Sequence, residues 1–211
     1  MQEITKALRA NIPKRYLDGT HRSIAPDVTV ARIRPLMGDF GITRVANVTG
    51  LDWIGIPVVM VCRPNSRSLS VSQGKGLTLD AATASGLMEA MELHYAERLT
   101  LPTQVSSYAE LSKRQRIIQI DQLPFLNCLR FHEHRAIPWV EGYDLLQEQP
   151  TWVPYECVTM NAVTLNAPGK ECFLPTSNGL ASGNHLLEAM VHAICEVVER
   201  DATTLWYQRP Q

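Results

Sequence analysis

No stretch of the sequence approaches the roughly 18 uninterrupted apolar residues that a membrane-spanning helix needs. The most apolar run, Ile54 to Cys62, is strand-length and is broken by Pro57. Met1-Gln2-Glu3-Ile4-Thr5-Lys6 lacks the apolar core of a secretory signal. No broad basic field exists either: Lys and Arg number 20 against 21 Asp and Glu, a formal net charge of −1. That balance argues against nucleic acid or an anionic membrane as partner. The five cysteines, Cys62, Cys128, Cys157, Cys172 and Cys195, are odd in number and form no CxxC. They exclude a zinc signature and read as reduced thiols, mostly in the core, of a cytoplasmic protein. Gln73-Gly74-Lys75-Gly76 cannot be extended into a G-x-x-x-x-G-K-[ST] loop, so no Walker A motif is present.

What is present is a hydrophobic fraction of 45% in 211 residues, enough to bury a real core as one domain. After the turn at Asp18-Gly19-Thr20, Asp27 is a plausible N-cap for a helix running to about Gly41. Leu36, Phe40 and Ile42 are expected to join the core. Thr43–Val48, Pro57–Cys62 and Leu69–Ser72 alternate as three strands of a small antiparallel meander. A helix then runs from about Leu79 to Arg98, with Ala81, Ala84, Met88, Met91 and Tyr95 as its buried side. Residues 101–136 read as a joining segment with a short charged helix over Tyr108–Ile120. Ile137–Asp144 and Thr151–Pro154 read as two further strands. Trp139, Tyr143 and Trp152 suit cross-strand packing, since no basic residues interleave with them. The loop Asn166-Ala167-Pro168-Gly169 and then Cys172–Pro175 lead into a glycine-rich stretch, Thr176–Asn184, and a helix through Arg200. The fold class is therefore α+β: two related halves of β-meander plus helix, over 20–100 and 137–211, joined by 101–136.

Both helices carry acids on one face. At helical spacing, Asn184, Glu188, His192, Glu196 and Glu199 fall within about 120° of one another, and Ser85, Glu89 and Glu92 within about 60°. At a fixed offset of 107 residues, Gly76, Leu79, Ala82, Glu89 and Glu92 align with Gly183, Leu186, Ala189, Glu196 and Glu199. Paired glutamates at i and i+3 recur in both copies. Brought face to face, such pairs make a carboxylate cluster that requires cations, and divalent metals with oxygen ligands are the natural neutraliser. His192 lies on the acidic face with no assigned role beyond that of a hydrogen-bonded partner.

The stretches Ser72–Gly76 with Ser85–Glu92, and Ser177–Asn184 with Glu196–Asp201, resemble the YcaO family. The resemblance runs from about residue 20 to the end. It implies an ATP- and Mg2+-dependent enzyme that activates peptide backbone amides by phosphorylation, as in cyclodehydratases and thioamidation enzymes. Azolines form from Cys, Ser or Thr, and thioamides form when a sulfur source attacks. Carried over residue by residue, Arg22, Thr29, Ser85, Asn184, Glu188 and Arg200 are expected at the ATP, and Glu89, Glu92, Glu196 and Glu199 at the magnesium ions. Arg22 stands where relatives often have lysine, which keeps charge but alters geometry. No catalytic residue is assigned.

Family domains continue past the point corresponding to Gln211, so the chain is expected to be a single domain, 1–211, truncated at its C-terminus. A peptide or protein substrate is implied, with a sulfur-delivery or leader-peptide-binding protein as a further partner and a homodimer as the expected assembly. The alternative function is a non-catalytic or partner-dependent accessory protein, for example in a methylthiolation or natural-product pathway, that retains the nucleotide-binding fold.

Overall fold

The structure, a computed structural model, describes residues 2–126, 131–163 and 172–209. The expected loop at 166–169 and Cys128 lie outside the described residues. Two compact units result, one of Met1–Tyr95 with Asn178–Gln211 and one of Ala96–Ser177. None of the described helices is long and apolar enough to cross a membrane.

The first unit contains α1 (Gln2–Leu8), α2 (Pro26–Ile33), strands β1 (Arg44–Asn47), β2 (Val58–Cys62) and β3 (Val71–Lys75), nearly all of α3 (Leu79–Glu97), and α5 (Leu186–Gln208). The three strands form the expected antiparallel meander, in the order β1-β2-β3. Helix α2 is shorter than expected. Pro26 occupies its first turn, pre-set for helical φ, so Ala25 rather than Asp27 holds the N-cap position. Pro35 cannot continue the ladder, and the chain passes into a 3-10 turn over Arg34–Leu36. Phe40 and Ile42 are buried with Val30, Ile33, Val61, Ala84, Leu87 and Ala90, whereas Leu36 is exposed. Arg63 is buried with them, its Nε donating to the Phe40 carbonyl at 3.2 Å.

Helix α3 lies on the sheet by backbone contact. A Cβ on Gly74 would collide with the Ala82 carbonyl oxygen and the Gly86 nitrogen, and would stand 2.8 Å from the Gly86 Cα. This close approach fixes which side of the helix is buried. Small residues and leucines, Ala82, Gly86, Leu87, Ala90 and Leu93, face the core, while Tyr95 is exposed and Met88 and Met91 are half-buried. Of the expected buried side, Ala84 is buried and Met88 and Met91 pack against the core, but Ala81 is half-buried and Tyr95 exposed, because bulky residues were favoured over the glycine and alanines that permit the approach.

The second unit holds β4 (Thr103–Ser107), α4 (Tyr108–Leu111), β5 (Ala136–Asp144) and β6 (Gln149–Pro154), an antiparallel sheet in the order β4-β5-β6. The segment read as a joining stretch thus supplies a strand, and α4 ends after four residues rather than reaching Ile120. Trp139 and Trp152 are buried with Leu111, Ile120, Ile137, Cys172 and Phe173, and the Trp139 indole donates to the Ser106 carbonyl at 2.9 Å. Buried Glu156 accepts from the Cys172 and Phe173 N–H groups, each at 3.1 Å. Among the four described cysteines, all free, Cys172 is buried, Cys62 and Cys157 are half-buried, and Cys195 is exposed. The thiols are therefore less internal than expected. Burial, and then the adjacent Glu156 charge, push the Cys157 thiol up to about 12, so it stays protonated and inert near neutrality.

Gly74→Ala is expected to destabilise the protein by about 1–3 kcal/mol, since overpacking here must move backbone. Urea denaturation of the variant against wild type checks this.

Candidate functional site

The site grows from the two loop-to-helix junctions of the first unit. Both turn on a glycine pressed against the first turn of the following helix. A Cβ on Gly76 would stand 2.6 Å from the Ala81 Cβ and 2.9 Å from the Ala82 nitrogen. One on Gly183 would stand 3.0 Å from the Glu188 Cβ and 2.6 Å from the Ala189 nitrogen. Each of these neighbours is related to its counterpart by the same offset of 107 residues, so the repeat is a repeat of packing as well as of letters.

Around the second junction a polar network closes on Glu188. The Ser23 N–H and hydroxyl donate to Glu188 Oε2 at 2.7 and 2.6 Å. The Asn184 N–H and Nδ2 donate to Oε1 at 3.1 and 3.3 Å, and the Arg22 guanidinium stands 3.8 Å from Oε1. Thr29, buried in α2, directs its hydroxyl between the Ala25 carbonyl (3.3 Å) and Asn184 Oδ1 (3.2 Å). Burial pushes the Glu188 carboxyl up, but the hydrogen bonds from Ser23 and Asn184 outweigh it and hold the group below the usual range. Glu188 is a fixed anion. Helix α5 begins at Leu186, with His185 as N-cap accepting from the Leu187 N–H at 3.2 Å. Asn184 therefore belongs to the loop and reaches Glu188 from outside the helix, not along the helical face expected of it.

Further along α5, Glu196 accepts from the Gly179 N–H at 3.2 Å and from Arg200 NH2 at 2.7 Å. Arg200 NH1 also donates to Asn178 Oδ1 at 2.7 Å, which ties the glycine-rich loop to the helix. Across from them, the Ser182 hydroxyl donates to the Met88 carbonyl at 3.3 Å and adjoins Glu92. Burial pushes Glu92 up to about 7. Hydrogen bonds from Ser182 oppose this, and the charges of Glu196 and Glu89 add to it. Glu89 is also raised by burial, against the Gln73 N–H and the Lys75 charge, which favour its ionised form. The acidic pair of α3 and Glu196 of α5 are thus within Coulombic reach.

Two expected residues stay apart from this arrangement. Ser85 and Glu199 are exposed, and neither has a hydrogen bond or ion pair among the described residues. No group of three or more His, Cys, Asp or Glu side chains among the described residues converges closely enough to hold a metal by itself. Conversely, Ser23, Gln73, Lys75, Asn178 and Ser182 participate without having been singled out. The offset of 107 was the usable signal for two of them: it aligns Lys75 with Ser182, and both face a carboxylate of α3.

An all-oxygen donor set around carboxylates that resist ionisation suits a hard divalent cation accompanied by phosphate oxygens. Known proteins agree with that chemistry. Residues 73–211 match the profile of the YcaO cyclodehydratases, described as ATP- and Mg2+-binding. The chain belongs to the YcaO family. It is 41% identical over 186 residues to an uncharacterised protein of the tfuA 3′ region of Rhizobium leguminosarum bv. trifolii, covering 87% of this chain and 43% of that protein. It is 38% identical over 182 residues to an uncharacterised Mycobacterium tuberculosis protein, covering 86% of this chain and 41% of the other. The chain therefore spans about two fifths of these relatives. Among solved structures, YcaO from Methanopyrus kandleri bound with AMPPCP and Mg2+ superposes with a TM-score of 0.68 at 26% identity, over 90% of this chain and 47% of that one. A heterocyclase in complex with substrate and cofactor gives 0.74 at 25% identity, over 93% and 30%.

A raised carboxylate pKa weakens the folded state as pH rises, because the folded protein then binds more protons than the unfolded chain. In the absence of metal, thermal stability is expected to fall between about pH 4.5 and 7, the ordinary and shifted values for Glu92. Glu92→Gln is expected to flatten that slope and to melt above wild type at pH 8. Melting curves across this range check both.

Proposed function

We propose that the chain provides the nucleotide and metal site of an ATP- and Mg2+-dependent enzyme that activates a peptide backbone amide. The observation that carries this is the meeting of two acidic helices, with Glu92 pushed up to about 7 beside Glu89 and Glu196. Glu89, Glu92, Glu196 and Glu199 would hold magnesium. Arg22, Thr29, Ser85, Asn184, Glu188 and Arg200 would hold ATP. The bound pair supplies a phosphoryl group that turns a poor leaving group, the amide oxygen, into a good one.

The chain's own contribution is positioning and charge. Ser23, Asn184 and Arg22 fix Glu188 as an anion, so the site presents a preorganised polar wall rather than one that must reorganise on binding. Arg200 links Asn178 to Glu196, so whatever draws Glu196 toward a cation also pulls on the glycine-rich loop. The same guanidinium would supply a phosphate contact when ATP is bound. Azoline or thioamide formation in a peptide or protein would follow, according to the nucleophile.

A partner-dependent accessory role is favoured by one observation. Glu199 and Ser85 remain exposed and unengaged, and no three acids converge closely enough to hold a metal by themselves among the described residues. Phosphate release from ATP on adding a cysteine-containing peptide, with no other protein present, separates the two readings.

Isothermal titration of ATP with Mg2+ is expected to give saturable heat with wild type. Glu196→Ala with Glu199→Ala is expected to weaken it at least tenfold, about 1.4 kcal/mol. No heat from a folded wild-type protein would overturn the nucleotide reading for this chain.

A further inference from the structure

The second sheet has one capped edge and one open edge. At β6, the Trp152 N–H donates to the Arg116 carbonyl at 2.8 Å and the Trp152 carbonyl accepts from the Ile118 N–H at 3.0 Å. At β4 the described residues supply no such cover. The Glu141 N–H donates to the Pro102 carbonyl at 3.0 Å, and the alternation of an antiparallel ladder then fixes the direction of each backbone group along β4. Gln104 and Ser106, opposite Trp139 and Ile137, direct their backbone groups to β5, and Thr103 and Val105 direct theirs outward. Pro138 stands opposite Val105 and has no N–H to give, in keeping with that alternation. Val105 is 72% exposed. The strand Thr103-Gln104-Val105-Ser106-Ser107 contains neither lysine nor proline, the residues that ordinarily guard an edge against pairing.

Beside this edge lies a cavity of about 360 Å3 lined by Gln104, Ser106, Glu110, Leu111, Arg114 and Gln115. Gln104 Nε2 is shut off from solvent and has no hydrogen-bond partner among the described residues, an unfavourable state for a buried donor. Arg116 is taken by Asp144 at 3.0 Å. Lys113 and Arg114 have no carboxylate partner among the described residues. Glu110, the one acid in the lining, accepts from the Ser106 hydroxyl at 3.4 Å. An added strand would place every second side chain on the face shared by Gln104 and Ser106. There an unmet donor, Gln104 Nε2, and one cation without a carboxylate partner among the described residues, Arg114, await an acceptor.

The geometry points to β4 as a docking edge for an extended acidic peptide, whose main chain pairs with Val105 and whose carboxylate side chain enters the cavity toward Gln104 and Arg114. Main-chain pairing supplies affinity and the cavity supplies the preference for acid. Neither nucleotide nor metal takes part, so the failure of this proposal and the failure of the ATP reading are separate events.

The test uses the full chain and an end-capped, fluorescein-labelled short peptide alternating threonine and glutamate, followed by fluorescence anisotropy. Saturable binding is expected. Val105→Pro, which removes an outward N–H without breaking a ladder hydrogen bond to β5, and Arg114→Glu are each expected to weaken it at least tenfold, while Glu196→Ala with Glu199→Ala leaves it unchanged. N-methylation of the probe at alternate amides, which leaves the protein untouched, is expected to abolish binding and decides the matter if Val105→Pro fails to fold. No saturable binding, equal binding of the N-methylated probe, or equal binding of a lysine-for-glutamate probe would each overturn the proposal. So would a wild-type dimer that Val105→Pro converts to monomer while the probe stays unbound, because the edge would then belong to a second copy.

Discussion

Carboxylates held close together outside bulk water repel one another, and the first unit is built around keeping several of them in place. Glu188 solves the problem with donors: Ser23 and Asn184 satisfy it so fully that it ionises readily despite burial. Glu92 does not. It has Ser182 alone against burial and two neighbouring acids. The difference divides the site into a part that is complete as it stands and a part whose charge is uncompensated. A cation with oxygen preference fits the second part, and polar ligands of a nucleotide fit the first.

That arrangement depends on backbone proximity. Gly74 against Gly86 lets α3 settle onto the sheet, and Gly76 and Gly183 let each loop fold back against the helix it precedes. With side chains at these positions the loops would stand off, and Lys75 and Ser182 could not reach the acids of α3. The two junctions repeat one solution, in which a loop tightened by glycine presents a polar residue to a carboxylate of the α3 pair. Arg200 adds a tether of its own through Asn178 and Glu196.

Much of this was legible in the sequence because helical spacing and a constant offset carry information over many residues. The meander of the first unit, α3, α5 and the acidic pairs all follow from such periodic signals. Features decided by a single residue were harder to read. Pro35 ended α2 early, and Pro26 displaced the N-cap from Asp27. Strand β4 was hidden because Thr103–Ser107 has only one large apolar residue, Val105, and that one faces solvent at an edge. The partners of Glu188 could not be inferred from local pattern, since Ser23 lies 165 residues away in the chain. Long-range hydrogen bonds leave no periodic trace, which is why Ser23 was passed over while Arg22 beside it was reached through resemblance alone.

The central claim is that the α3 pair and the α5 pair together hold the divalent cations that accompany ATP. Anomalous diffraction from crystals of this chain grown with AMPPCP and Mn2+ tests it most directly. The account predicts manganese peaks coordinated by carboxylate oxygens from both helices, from Glu89 or Glu92 on one side and Glu196 or Glu199 on the other. Nucleotide bound with its metal touching neither pair, or touching one helix only, would contradict it.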